Sequence, residues 1–265
     1  MIYFTGDTHG EFTKLSNKSL KSKGMKLTAD DHVIVCGDFG LCWEYGGTFD
    51  YLCKFFEEKP YTVLWVQGNH ENYDMIKEFA LEEWYGGKVR HIVRDKVILL
   101  ERGQVFRIEG KTFFTFGGAS SLDIAGGVFK RSDPDFRLKT KRARERGLPY
   151  RILGESWWPE ELPSKEEMLE GIENLDRAGN EVDYIITHCC STRIQDRLVP
   201  NPGCTYKPDV LTDYLDRIEE KVSYKHWFFG HYHDDMNIDN KHTLLYREIV
   251  SMEDMECGLF HLPGM

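Results

Sequence analysis

With 265 residues, 41% of them hydrophobic, and a formal net charge of -10, the chain is long enough to bury a sizeable core and too acidic for a surface that coats nucleic acid in general. Charged residues at 29% and aromatics at 13% leave no room for a long disordered tail. No apolar run approaches the roughly 18 residues of a membrane span, and Met1 leads directly into the first apolar stretch with no basic and apolar leader, so no membrane partner is expected.

Residues 2–10, IYFTGDTHG, run four apolar or β-branched side chains into a Gly-Asp-x-His cluster. A short continuous apolar run closed by glycine reads as a strand buried on both faces, the kind found inside α/β sheets. Phe12, Leu15 and Leu20 among lysines predict a loosely amphipathic helix over 11–23, leading to a second strand at 33–36 that ends in Gly37-Asp38. After the loop FGLCW a helix is predicted at 49–58, capped near Thr48 and ended by Pro60. A third strand at 62–66 runs into GNHEN, followed by a helix at about 73–79.

From 91 to 116 the texture changes to short alternating runs separated by Asp95-Lys96, Arg102-Gly103 and Glu109-Gly110. These predict an antiparallel meander that begins a second sheet. Residues 117–164 are irregular and read as an insert rather than core. There follow a helix at about 165–177, a strand at 184–187 ending in His188, a helix near 209–220, and a strand at 227–229 running into GHYH. Residues 244–246 and 259–262 are expected to close the second sheet. The expected organisation is a single domain, 1–265, carrying the insert at about 117–164.

Five strands thus end in polar residues: Asp7 and His9, Asp38, Asn69 and His70, His188, and His231 with His233. Open α/β sheets place their sites at the carboxyl ends of strands, and carboxylate with imidazole suits Mn, Fe, Zn or Ni. A single Gly-Asp is more often a turn than a ligand. Five such ends in order point to a metal centre. Asp7, His9, Asp38, Asn69, His188, His231 and His233 are more donors than one ion accepts beside substrate and water, so two divalent ions are implied, which one carboxylate can bridge. His32, His91, His226, His242 and His261 fall outside the pattern and read as ordinary surface or core residues.

The seven cysteines, at 36, 42, 53, 189, 190, 204 and 257, form no C-x-x-C pair. Neither a disulfide framework nor a structural zinc site is indicated, and a cytoplasmic setting is expected. Adjacent Cys189 and Cys190 read as packing at the end of a buried strand.

The succession D-x-H, G-D, G-N-H-E, H and G-H-x-H, from Asp7 to His233, resembles the calcineurin-like metallophosphoesterase superfamily, in particular its small bacterial and phage members. The resemblance implies an α/β fold, a two-sheet sandwich flanked by helices (α/β/β/α), with a dinuclear site at the strand ends. It implies that Asp7, His9 and His233 hold one ion, that Asn69, His188 and His231 hold the other, and that Asp38 bridges them. Manganese is the first expectation, with Fe, Zn or Ni as alternatives. It further implies attack on phosphorus by a metal-bridging hydroxide while His70 serves the leaving-group oxygen, making His70 and Asp38 the catalytic candidates. The expected function is hydrolysis of phosphomono- or phosphodiesters, with a phosphorylated small molecule or nucleotide as partner.

The second motif, GDFGLCW, departs from the G-D-x-x-D-R-G of the Ser/Thr protein phosphatases, whose Arg grips phosphate. A phosphoprotein phosphatase is therefore a rival that needs a substitute Arg, for which the insert is the candidate source. A non-catalytic binding scaffold on the same fold is a rival of another class, and the complete ligand set with His70 argues against it. The run GGASSLD followed by WWPEELP is similar to a loop of the small phosphoesterases. Between Phe129 and Arg151 stand nine basic residues against three acidic ones. Arg142, Arg144 and Arg146 are candidate substrate contacts that would attract phosphate, and Trp157 and Trp158 would stack on a base. A solvated basic helix and a packing tryptophan pair account for the same residues equally well.

Overall fold

In the computed structural model, which describes residues 1–198, 206–259 and 262, strands β1 (Ile2–Thr5), β2 (His32–Val35) and β3 (Thr62–Trp65) lie side by side and parallel. Helices α1 (Asn17–Ser22) and α2 (Gly47–Glu57) return the chain between them, and α3 (Tyr73–Glu78) follows β3. The helix expected at 11–23 is broken. A single 3-10 turn occupies Thr13–Leu15, and α1 starts only after Ser16, whose hydroxyl accepts from the Ser19 amide at 3.1 Å. A serine that caps one helix terminates what precedes it. Helix α2 starts after Gly46, so Thr48 lies in its first turn rather than at its cap.

The meander expected at 91–116 divides between two sheets. Strands β4 (Leu81–Trp84), β5 (Gly87–Val93) and β6 (Val97–Leu100) extend the first sheet, with β6 parallel to β3 and β5 antiparallel to both β6 and β4. Only β7 (Gln104–Ile108) and β8 (Lys111–Phe116) open the second. The turn signals at Asp95-Lys96 and Glu109-Gly110 mark the antiparallel pairs β5–β6 and β7–β8, whereas Arg102-Gly103 closes no hairpin and carries the chain from the first sheet to the second, because a turn does not say which sheet the next strand joins. Residues 97–100, all four buried, behave as a central strand rather than as one with a solvated face.

The insert contributes β9 (Val128–Phe129), α4 (Phe136–Glu145) and β10 (Arg151–Ile152). Its two ends are pinned by Arg102, only 3% exposed. The Arg102 Nε donates to the Gly117 carbonyl at 2.8 Å, and Nη2 donates to the Glu160 carbonyl at 2.8 Å and to the Tyr73 hydroxyl at 3.0 Å. Beyond it lie α5 (Lys165–Arg177), β11 (Tyr184–Thr187), α6 (Thr192–Gln195), α7 (Val210–Lys221), β12 (His226–Phe229), β13 (Met236–Asn237) and β14 (His242–Leu244), giving a second sheet of order β13-β14-β12-β11-β8-β7. The last strand, β15 (Ile249–Ser251), returns to pair antiparallel with β1 in the first sheet, and α8 (Met252–Glu256) follows. Within 259–262, residues 260 and 261 lie outside the described residues.

Strand side chains alternate across each sheet. On β1, Ile2 and Phe4 face the other sheet and meet Phe113, Tyr184, Ile186 and Phe228. Phe4 stacks on Phe228 with ring centroids 4.0 Å apart. Tyr3, Val33 and Trp65 point the opposite way, into a layer closed by Leu20, Phe56, Met75 and Ile76 from α1, α2 and α3. The second sheet is backed in the same manner by Leu175, Ile194, Leu211, Leu215 and Ile218 from α5, α6 and α7. The layers are therefore α/β/β/α, and the strands buried on both faces are mostly apolar. Among the described residues no helix is long and apolar enough to cross a membrane.

Candidate active site

The carboxyl ends of β1, β2 and β3 from one sheet and of β11 and β12 from the other meet at one rim. Asp7 Oδ1 accepts from the His231 amide at 3.0 Å, and Asp38 Oδ1 accepts from the His70 amide at 2.7 Å. His233 Nε2 lies 3.2 Å and His9 Nε2 3.6 Å from Asp7 Oδ2, and His9 Nδ1 lies 3.8 Å from Asp38 Oδ2. Ligand atoms of Asp7, His9, Asp38 and His233 all fall within 4.8 Å of one another. On the other side of Asp38, His188 Nε2 is 3.4 Å from Asp38 Oδ1 and 3.2 Å from Asn69 Oδ1, and the His231 ring centroid is 5.0 Å from that of His188. All seven candidate ligands are brought together, with Asp38 between the two groups.

The strands reach this rim through sharp turns. His9, Asp38, His231 and His233 adopt φ of 47°, 46°, 71° and 53°, a left-handed conformation that costs a non-glycine residue about 1–3 kcal/mol and clusters at functional sites. Two neighbouring glycines are required by close approach. A Cβ on Gly68 would enter the Asp38 carboxylate, and one on Gly230 would strike Asp7 Oδ1.

Asp7 and Asp38 are buried, and Oδ2 of each is enclosed without a hydrogen-bond partner. An orphaned buried carboxylate oxygen is costly unless a cation meets it. Two such oxygens ringed by four imidazoles and an amide fit divalent metal ions in donor chemistry. Burial raises both carboxyls, but His188 more than compensates, joined by His233 for Asp7 and by His70 and His9 for Asp38, so both stay below the usual carboxylate range. Burial also opposes charging His188, yet the Asp38 carboxylate overrides it and lifts His188 to about 9. Burial and the charge on His188 push His231 down to about 3. His188 Nδ1 donates to the Cys36 carbonyl at 2.7 Å, which leaves Nε2 as the nitrogen turned to the cluster.

A cleft of about 400 Å³ shares His9 with this cluster and is lined further by His70 and Arg151, by the apolar Leu41, Trp43, Phe49 and Leu52, and by Glu44. Another hollow, of about 380 Å³ near Leu20, Met25, Leu27 and Tyr61, has no carboxylate or imidazole in its wall.

His70 is half-buried and flanked by the His9 ring, 5.3 Å away between centroids, and by Arg151, whose Nη2 is 3.2 Å from His70 Nδ1. Asp123 holds the same guanidinium, accepting from Nε at 3.0 Å and also from Nη2. Arg151 was one of nine basic residues in its stretch, with nothing in its spacing to distinguish it. Ser121, Asp123 and Glu161 lie within the runs GGASSLD and WWPEELP, whose likeness to a loop of the small phosphoesterases is legible in the sequence without marking these three side chains. Arg142, Arg144 and Arg146 are exposed and are not among the residues that line the cleft. Trp158 is 3% exposed, donates Nε1 to Asp74 Oδ2 at 2.8 Å and packs edge-on to Trp43 at 6.1 Å, while Trp157 is half-buried and also absent from the cleft wall. None of these five side chains is among the residues that line the cleft.

None of the curated proteins matches this sequence. Among solved structures the chain is similar to the phosphopantetheinyl hydrolase (PptH) of Mycobacterium tuberculosis, at 15% identity and a TM-score of 0.41, covering 92% of this chain and 87% of that one. The model of the calcineurin-like phosphoesterase family matches residues 1–235, a span that contains all five ligand-bearing strand ends, and the chain belongs to that family of metal-dependent phosphoric ester hydrolases.

Proposed function

We propose that the protein is a dinuclear phosphoesterase that hydrolyses phosphomono- or phosphodiesters of small or nucleotide-like substrates. The observation that supports this reading is the pair of orphaned oxygens on Asp7 and Asp38 inside a ring of His9, Asn69, His188, His231 and His233, adjoining a cleft that presents His70 and Arg151. Asp7, His9 and His233 would hold one ion and Asn69, His188 and His231 the other, with Asp38 as the residue that would serve both. Two bound divalent ions, manganese ahead of Fe, Zn or Ni, supply a more acidic water and positive charge against the phosphoryl oxygens.

The remaining steps belong to the chain's own residues. Arg151, whose Nε and Nη2 are engaged by Asp123 and His70, has Nη1 left to donate to a phosphoryl oxygen. His70 gives a proton to the departing oxygen. Leu41, Trp43, Phe49 and Leu52 keep water from one side of the cleft and suit an uncharged or aromatic group, while Glu44 disfavours a polyanionic tail. Arg151 also favours the phosphoprotein phosphatase reading in one respect, since the insert supplies the guanidinium that the second motif lacks. The same reading treats 1–265 as one cytoplasmic domain elaborated at 117–164.

Metal analysis with a substrate panel of bis-p-nitrophenyl phosphate, p-nitrophenyl phosphate, cyclic nucleotides and a phosphopeptide tests the proposal. Two ions per chain and metal-dependent turnover of the small esters are expected. Preference for the phosphopeptide would select the phosphatase reading, and two ions with no turnover on any substrate would select the scaffold.

A further inference from the structure

We infer that the insert acts as a double clamp on the consecutive residues Asn69 and His70, through two separate hydrogen-bond chains that each end in a carboxylate: Glu161–Ser121–Asn69 and Asp123–Arg151–His70. The inference rests on the phosphoesterase reading and gives the insert a role other than substrate attraction by its basic helix.

In the first chain, Glu161 Oε2 accepts from the Ser121 hydroxyl at 2.5 Å and Oε1 accepts from the Ser121 amide at 3.0 Å. Both residues are buried, at 3% and 6% exposure. A carboxylate only accepts, so the Ser121 hydroxyl is committed to donating, and its oxygen is left to accept from Asn69 Nδ2 at 3.3 Å. The amide is thereby oriented. Its Oδ1, the atom able to meet a cation, is turned to the side of His188 Nε2, 3.2 Å away. Without the chain the amide could rotate by half a turn and present its NH2 group to the same position.

In the second chain the logic runs through a donor that cannot accept. Arg151 only donates, and its Nη2 lies 3.2 Å from His70 Nδ1 against 3.5 Å from Nε2, so Nδ1 is the nearer acceptor and the guanidinium favours the neutral ring with its proton on Nε2. Asp123 fixes the guanidinium by taking both Nε and Nη2. The His70 backbone is pinned separately, its amide donating to Asp38 at 2.7 Å. The ring's orientation and tautomer are what Arg151 adds. The four residues come from three stretches of the insert, Ser121 with Asp123, Arg151, and Glu161, so one arm can be cut while the other stays.

The two arms predict separable defects. Titrating manganese into Ser121→Ala and Glu161→Gln, followed by calorimetry and electron paramagnetic resonance, should show one of the two ions bound about 10–100-fold more weakly and the other unchanged. Glu161→Gln is nearly isosteric and reads the same arm if Ser121→Ala does not fold. In Arg151→Ala, and in Asp123→Asn to a smaller degree, both ions should bind as in the wild type. The imidazole 15N shifts of His70, recorded without added metal, should then lose their preference for the proton on Nε2.

If Ser121→Ala and Glu161→Gln bind both ions with wild-type affinity, the Asn69 arm is wrong. An unchanged His70 tautomer in Arg151→Ala overturns the other arm. Loss of both ions in every variant would replace two arms by general packing. A wild type that binds no pair of divalent ions would instead remove the phosphoesterase reading itself.

Discussion

Asp38 is the residue on which both halves of the candidate centre converge. Its Oδ1 takes the His70 amide and faces His188, and its Oδ2 faces His9 from a buried position without a hydrogen bond. Asp38→Asn keeps the shape and removes the charge, so it should lose both ions and nearly all hydrolysis. His233→Ala should affect mainly one ion, since His233 lies against Asp7 and the His9 ring. Metal content per chain in the two variants is the measurement. An Asp38→Asn protein that keeps two tightly bound ions and near-normal turnover would refute the bridging role.

At the scale of elements, the insert divides into a solvated helix and a set of buried anchors. Arg142, Arg144 and Arg146 are exposed on and just after α4, where Lys141 and Glu145 make an i,i+4 pair. Exposed charges of this kind contribute little. Replacing all three arginines by Ala should leave kcat/KM for a nucleotide and for p-nitrophenyl phosphate within about twofold of wild type, as expected for side chains outside a binding site. A selective rise in KM for the nucleotide would restore them as substrate contacts. Arg102 is the opposite case, because its removal leaves the Gly117 and Glu160 carbonyls without their donor. Arg102→Ala should cost about 3 kcal/mol, seen as a lower Tm together with protease cleavage within 117–164. An unchanged Tm would show that the insert is held by other contacts.

Across the whole molecule, the two sheets are joined by the aromatic layer between them and by bonds at the candidate centre, including His188 to the Cys36 carbonyl and the His231 amide to Asp7. A pH dependence of the fold follows from a group distant in role from that centre. His226 on β12 is 8% exposed and bonded through Nε2 to Thr243 Oγ1 at 2.8 Å. Burial, helped by His242, lowers it from 6.5 to about 4. The unfolded chain takes up this proton near 6.5, whereas the folded chain resists it until about 4. The contribution is therefore fully present above the unfolded value and is lost as pH falls through that window, by at most about 3 kcal/mol. His226→Gln should flatten the fall in the urea midpoint between pH 7 and pH 5. Identical midpoint changes in both proteins would assign the acid sensitivity to other groups.

The sequence by itself determined the five strands and the polar residues that follow each of them, because both are local. A strand buried on two faces is apolar or β-branched over most of its length, and the donor at its carboxyl end is the next few residues along the chain. Glycine at 68 and 230 was legible as part of the pattern, although its reason, the approach of Asp38 and Asp7 from other strands, lies in the tertiary structure. What the tertiary structure alone decided is non-local. The strand at 97–100 joined the first sheet rather than the second because pairing with β3 is a contact across more than 30 positions, which no turn signal records. Arg151 and Arg142 look alike in the sequence. One reaches His70 and the other reaches solvent, since the course of the insert between its anchors determines where a long side chain ends, and that course is set by Arg102, Ser121 and Glu161 from outside the immediate stretch.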